Sequence, residues 1–305
     1  MVQSTGIALC LLEEESMKIK GVEVSKDSEV YLIAEIGINH NGSLNTALKL
    51  IEEAKKSGFN AVKFQKRNVN VVYSLTELAQ PRESVFGATN GDLKRGLEFG
   101  ESEYSVINEF CKDQKIDWFA SPWDVGSVDF LENLDVVAHK VASACNSDKD
   151  LLKRINETGK PVFLSTGMST LEMIEKSLDY LDHSKLVLLH AVSTYPAENS
   201  NLNLNWINIL KEKFPHIPIG YSGHEVGIVP SVVAVAKYGA CCVERHITLD
   251  RSMWGSDQAA SLEPAGMKKL VSYIREIPQL HGSDLKIILN EEEAVSKKLR
   301  RVNSV

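Results

Sequence analysis

The sequence predicts an α/β fold: a single (β/α)8 TIM barrel with an N-terminal hairpin and a short charged C-terminal tail. Three observations carry this. Between residues 31 and 248, eight short runs rich in β-branched residues alternate with longer stretches of helical spacing, the pattern of parallel strands joined by crossover helices. Several helical stretches close on a glycine, at Gly58, Gly159 and Gly239, the residue that best ends a helix in the left-handed conformation. No G-x-G-x-x-G follows the first strand. A doubly wound open sheet, the structural alternative, therefore lacks its usual fingerprint.

The elements follow in chain order. The expected strands are YLIAEIG (31–37), AVKFQ (61–65), DWFASPW (117–123), HKVAS (139–143), VFLSTG (162–167), LVLLHAV (186–192), IPIGYSG (217–223) and CCVERHIT (241–248). Between them lie periodic stretches such as LNTALKLIEEAKKSG (44–58), EYSVINEFCKDQK (103–115) and STLEMIEKSLDYL (169–181). Three segments result: an N-terminal extension and hairpin over 1–30, the catalytic barrel over 31–281, and a helical tail over 282–305. Residues 18–30 read as a hairpin plugging the barrel floor. Residues 1–16 show no role, and Met17 offers an alternative start. The connection from Arg67 to Gly100 is too long for filler and reads as a functional lid.

Composition narrows the function classes. Of 305 residues 43% are hydrophobic and 25% charged, and the net charge is −7. These are globular values, and without a long Lys/Arg run nucleic acid is a poor partner. The five cysteines, Cys10, Cys111, Cys145, Cys241 and Cys242, form no CxxC, which argues against a disulfide framework and for a reducing cytoplasm. The apolar run GIALCLL (6–12) lacks a basic lead and is too short to span a membrane. The expectation is a soluble cytoplasmic protein without a membrane partner.

In such barrels the active site forms at the C-terminal ends of the strands, and unusual polar residues fall there. In strand order these are Glu35; Lys63 and Gln65; Ser121 and Asp124; Lys140, Ser143 and Cys145; Ser165; Ser193 and Tyr195; Ser222 and His224; Glu244 and His246. Lys63 and Lys140 stand among apolar neighbours, and a buried ammonium needs an anion. Together with the serine hydroxyls they suit a phosphate-plus-carboxylate ligand. Pairing with an internal Glu35 or Glu244, or a Schiff-base role, is the alternative for either lysine. His224 and His246 are one helix-plus-strand step apart and end adjacent strands. They could hold a divalent metal, with Mn²⁺ the first choice and Mg²⁺, Co²⁺ or Zn²⁺ as others; two hydrogen-bonded structural histidines are the bland reading. Two motifs fail in GYSGHEVG (220–227): HExxH needs a histidine where Ile228 stands, and G-x-S-x-G needs glycine where His224 stands. Cys145 reads as a small buried thiol rather than a nucleophile. Trp254, after the last strand, is a candidate to line the site.

AEIGINHNGS, AVKFQK, FASPWD, KVAS, LSTGMS, VSTYP, GYSGHEVG, ERHITLDR and GSDQAASLEP, in this order from about residue 18 to 290, together resemble the barrel domain of the sialic acid synthase family. The resemblance implies a metal-dependent condensation of phosphoenolpyruvate with the open aldehyde form of an N-acyl hexosamine, giving a nine-carbon keto sugar acid and phosphate. By motif, His224 and His246 would hold the metal. Lys63, Lys140, Ser121, Ser143, Ser165 and Ser193 would surround phosphoenolpyruvate, with Ser222 leaning toward it. Glu35, Gln65, Tyr195 and Asp257 would face the sugar and the metal-bound groups. A homodimer is the family-like assembly.

The sequence departs from the family pattern in places. Ser121 and Ser193 stand where the family often has Thr and Asn, and Cys145 where it commonly has Glu or Asp. The family often carries a C-terminal antifreeze-like domain that sends an arginine into the partner's site, and this chain ends at Val305. The expectation is a barrel-only member whose sugar pocket is completed otherwise, by Arg67, Arg82 and Lys94 of the long connection or by a separate protein. A Schiff-base barrel aldolase and a non-catalytic sugar- or partner-binding relative are the competing functions.

Overall fold

A computed structural model describes residues 16–302. Residues 1–15, with the GIALCLL run and Cys10, and residues 303–305 lie outside the described residues. The chain opens with an antiparallel hairpin of β1 (Met17–Ile19) and β2 (Val22–Val24). Met17, Ile19 and Val24 are buried in the core. Lys20 at its turn stands 3.1 Å from Asp117, the first residue of a barrel strand, so the hairpin covers the N-terminal end of the barrel.

The βα units then run β3 (Tyr31–Gly37), α1 (Leu44–Ser57) and β4 (Ala61–Lys66). The long connection is folded rather than a bare loop. It holds α2 (Val69–Val72), α3 (Leu75–Leu78), the hairpin β5 (Pro81–Ser84) with β6 (Gly87–Thr89), and α4 (Asn90–Leu97). Capping boxes at Ser74 and Thr89 fix two of these helices. The barrel resumes with α5 (Glu101–Gln114), β7 (Asp117–Pro122), α6 (Val125–Glu132), β8 (His139–Val141), α7 (Lys149–Glu157), β9 (Val162–Ser165), α8 (Leu171–Leu178) and β10 (Leu186–Ala191). It closes with α9 (Trp206–Lys213), β11 (Ile219–Gly223), α10 (Val229–Ala236), β12 (Cys242–His246) and α11 (Pro264–His281). An exposed helix, α12 (Asn290–Leu299), follows.

The strands form a closed parallel barrel in the order β10-β11-β12-β3-β4-β7-β8-β9. All seven residues of β3 are buried, as expected of strands covered on both faces. Side chains alternate along a strand, and two steps toward the C-terminal end change the character of the barrel interior. Tyr31, Phe119 and Phe163 stack across the floor, with ring centroids 6.1 Å and 5.4 Å apart. Above them, Ile33 gives way to Glu35, Ala61 to Lys63, Phe119 to Ser121, Phe163 to Ser165 and Cys242 to Glu244. An apolar plug below and a polar cup above place the site. Among the described residues, no helix is long and apolar enough to cross a membrane.

Candidate active site

The cup is a cavity of about 220 Å³ lined by residues from all eight barrel strands or the turns after them. Of the residues expected from sequence, Glu35, Lys63, Gln65, Ser121, Lys140, Ser143, Ser165, Ser193, Tyr195, Ser222, His224 and His246 all reach its wall. Asp257 does not; it precedes the 3-10 turn Gln258–Ala260, in irregular chain after the last strand, and its Oδ2 lies 4.0 Å from His246 Nδ1.

One side of the cup is cationic and rich in hydroxyls. The Lys63 ammonium lies 2.7 Å from Glu35 and 3.7 Å from Glu244, and donates to Ser121 Oγ at 3.1 Å. Pairing with internal carboxylates, held open in the sequence, is thus what Lys63 does. Burial works against its charge, but Glu244 and Glu35 outweigh it and hold the ammonium above its usual range. Lys140 differs. It is buried, donates to Ser165 Oγ at 2.6 Å and to the Val141 carbonyl at 3.0 Å, and no carboxylate of the described residues stands in salt-bridge contact with it. Burial lowers its pKa to about 8. The Ser193 hydroxyl is buried without a hydrogen-bond partner among the described residues. Gly167 makes room for it: a Cβ there would lie 2.3 Å from Ser193 Oγ and 2.6 Å from Ser143 Oγ.

The carboxylates divide. Burial raises Glu35 above the usual carboxyl range, against the pull of Lys63. Gln65 Nε2 donates to its Oε1 at 3.1 Å, and Gln65 in turn accepts from Arg67. Glu244 is also opposed by burial, but Lys63 and Lys140 hold it below the usual range, and Ser222 Oγ donates to it at 3.0 Å. Two carboxyls of opposite tendency around one ammonium can store and deliver a proton.

The other side is imidazole. The His224 and His246 rings are 5.5 Å apart, and the Tyr195 ring lies 4.3 Å from that of His224. His224 Nδ1 is 2.8 Å from the Val192 carbonyl. A carbonyl only accepts, so Nδ1 carries the proton and Nε2 keeps its lone pair, the arrangement metal-binding imidazoles use. Burial, then His246, pushes the His224 pKa down to about 3, so the ring is neutral. His246 Nδ1 is buried without a hydrogen-bond partner among the described residues. A divalent ion would take His224 Nε2 and a nitrogen of His246, whose ring centroids are 5.5 Å apart. Among the described residues no group of three or more His, Cys, Asp or Glu converges to hold one unaided; further donors would be water or ligand oxygens.

Cys145 is buried, and burial pushes its thiol up to about 11; it is no thiolate nucleophile. Sequence reasoning gave no role at the cavity to Trp123 or Met168, which also line it. The Arg67 guanidinium sits 4.6 Å over the Trp123 ring, a contact between distant segments that no motif announces. Glu225, unassigned from sequence, is fully buried and ion-paired to Arg245 at 2.8 Å.

A second cavity, of about 780 Å³, is lined by Ile38, Asn41, Arg82, Lys94 and Trp254 among others. Ile38 follows Gly37, where a Cβ would lie 3.0 Å from Glu35 Oε1 and 3.4 Å from His246 Cε1. The end of β3 therefore divides the two cavities. Trp254 lines this larger one rather than the cup.

The NeuB family profile matches residues 50–286. The chain is 37% identical over 284 residues to N-acetylneuraminate-9-phosphate synthase of Drosophila melanogaster, covering 90% of this chain and 76% of that protein. It is 34% identical over 295 residues to N,N'-diacetyllegionaminic acid synthase of Legionella pneumophila, covering 93% and 82%. Among solved structures, N-acetylneuraminic acid synthetase of Leptospira borgpetersenii serovar Hardjo-bovis in complex with citrate superposes with a TM-score of 0.81 at 31% identity, covering 95% of this chain and 99% of that one.

Proposed function

The chain belongs to the NeuB family, and on that premise we propose that it condenses phosphoenolpyruvate with the open-chain aldehyde of an N-acyl hexosamine to give a nine-carbon 2-keto sugar acid and phosphate. Relatives named as sialic and legionaminic acid synthases make it a carbon–carbon bond-forming enzyme. The observation that carries the reading is the division of one cup into two halves. Lys140, with no carboxylate of the described residues in salt-bridge contact, stands with Ser143, Ser165 and Ser193 on one side, and the imidazoles of His224 and His246 stand on the other.

The phosphate and carboxylate of phosphoenolpyruvate take the Lys140 side, where the ammonium and hydroxyls neutralise and orient them. Lys63, Ser121 and Ser222 complete that wall. His224 and His246 would hold a divalent ion, Mn²⁺ first, which when bound supplies Lewis-acid polarisation to the aldehyde oxygen. Tyr195, packed on His224, and Gln65 border the space left for the sugar. In the reaction the methylene carbon of phosphoenolpyruvate bonds to the aldehyde carbon, water adds at the pyruvyl carbon, and the carbon–oxygen bond to phosphate breaks. Glu35, whose carboxyl burial holds above its usual range, delivers a proton to the former aldehyde oxygen, and the proton released by the added water restores it. Cys145 supplies no proton in this scheme, so the task that a carboxylate would have there falls to Glu35.

The test is phosphate release from phosphoenolpyruvate across a panel of N-acyl hexosamines, with and without chelator. The expected result is sugar-dependent release that chelator abolishes and Mn²⁺ restores in the parent but not in H224A or H246A. No release with any sugar plus Mn²⁺ would leave a binding protein instead.

A further inference from the structure

Along β11 and β12 every second residue faces the cup and its neighbour faces the helices. Gly220, Ser222 and His224 point one way and Tyr221, Gly223 and Glu225 the other; Glu244 and His246 oppose Val243 and Arg245. Each histidine of the pair is thus followed or preceded by one member of a buried ion pair on the far side of the sheet, as His224–Glu225 and Arg245–His246. We propose that Glu225 and Arg245 are positioning residues that set the separation of His224 and His246 for a divalent cation. This rests on the two-histidine reading above.

The contacts are those of a crosslink. Arg245 Nη1 is 2.8 Å from Glu225 Oε1, and donates to the Gly227 carbonyl at 2.7 Å and to Ser231 Oγ at 2.9 Å. Its Nη2 donates to the backbone carbonyl of Glu225 at 2.6 Å. Tyr221 OH and Ser231 Oγ donate to the Glu225 carboxylate at 2.8 Å and 3.1 Å. One side chain on β12 therefore grips the turn that carries His224 at several points, one position before His246. Space is reserved for it: a Cβ on Gly223 would lie 2.6 Å from Glu225 Oε2 and 2.9 Å from Arg245 Cδ.

Stability is a poor reason for such a pair. Both residues are 0% exposed, and taking two charges out of water costs so much that apolar residues of like volume commonly do as well or better. What an apolar pair lacks is direction. Hydrogen bonds to named backbone carbonyls fix the turn relative to β12, and the two imidazoles inherit that distance.

The experiment measures Mn²⁺ affinity by calorimetry in the full chain, with inorganic phosphate affinity and melting temperature alongside. The double variant E225Q/R245M removes both charges together and leaves no unpaired ion. It should bind Mn²⁺ about 10–100-fold more weakly, the usual cost of losing the partners behind a ligand, while phosphate affinity and melting temperature stay near the parent's. If that variant does not fold, S231A decides by the same comparison, with a few-fold loss expected. Unchanged Mn²⁺ affinity in a folded variant, or parallel loss of both affinities, overturns the positioning role. H224A separates the two readings. If it binds Mn²⁺ like the parent, the histidine pair is not the site; if it loses Mn²⁺ while E225Q/R245M keeps it, only the role of the ion pair falls.

Discussion

Lys140 Nζ lies 2.6 Å from Ser165 Oγ inside the barrel cup, a buried ammonium held by a hydroxyl and a carbonyl, with no carboxylate of the described residues in salt-bridge contact. Such a charge is costly unless a ligand completes it. Lys140→Met should therefore weaken phosphoenolpyruvate binding by about 10–100-fold, the worth of a hydrogen bond to a charged group. The pH dependence has a definite sign. With the free-site pKa near 8, the ammonium is largely protonated at pH 7 and largely neutral at pH 9. Anion affinity should then fall about tenfold across that interval, and the fall should vanish in the methionine variant. Calorimetric titration with phosphoenolpyruvate at both pH values checks this; a flat profile in the parent would remove Lys140 from the anion site.

A buried lysine of lowered pKa is also what a Schiff-base aldolase uses. Here Lys140 is committed to Ser165 and Val141, and Lys63 to Glu35 and Ser121. Borohydride with pyruvate should trap no adduct, and mass spectrometry of the treated chain should show only the parent mass. An added pyruvyl mass on a peptide holding Lys63 or Lys140 would reverse the assignment.

The cup was legible because two simple periods coincide in it. Alternation along each strand put Glu35, Lys63, Ser121, Ser165, Ser222, Glu244 and His246 on one face, and the βα repeat put their strand ends on one rim. What stayed hidden depends on contacts between distant segments. The connection after β4 folds into short helices and a hairpin whose few residues carry little periodicity. Which carboxylate meets Lys63 follows from barrel closure, not from spacing. Glu225 and Arg245 carry no motif of their own, since an ion pair on the helix side of two strands shows only when the strands are laid side by side. Asp257 sits in an irregular turn, where alternation gives no direction.

That connection supplies the next expectation. Arg82 and Lys94 line the cavity on the other side of the β3 end from the cup, with Lys94 4.9 Å over the Tyr73 ring. If the acceptor sugar extends into it, Arg82→Ala and Lys94→Ala should each raise the KM for the sugar several-fold and leave that for phosphoenolpyruvate alone. Unchanged sugar KM in both would place the acceptor elsewhere.

A last expectation concerns the acid limb of stability. His40, in the turn after β3, is buried and stacks on Phe99 with ring centroids 4.0 Å apart, while its Nδ1 accepts from the Gly42 amide at 3.1 Å. Burial, with Arg67 adding to it, lowers its pKa to about 3. The unfolded chain binds a proton on this histidine near pH 6.5 and the folded chain does not, so stability is full above that pH and is lost as pH falls toward 3. Between pH 7.5 and 5.0 the loss from this one group is about 2 kcal/mol. His40→Phe keeps the stack on Phe99 and removes the titration. It gives up the Gly42 hydrogen bond, so it should be less stable than the parent at pH 7.5 yet lose about 2 kcal/mol less on acidification. Urea denaturation at the two pH values measures both quantities. Equal losses in parent and variant would mean that His40 titrates in the folded protein as it does in the unfolded chain.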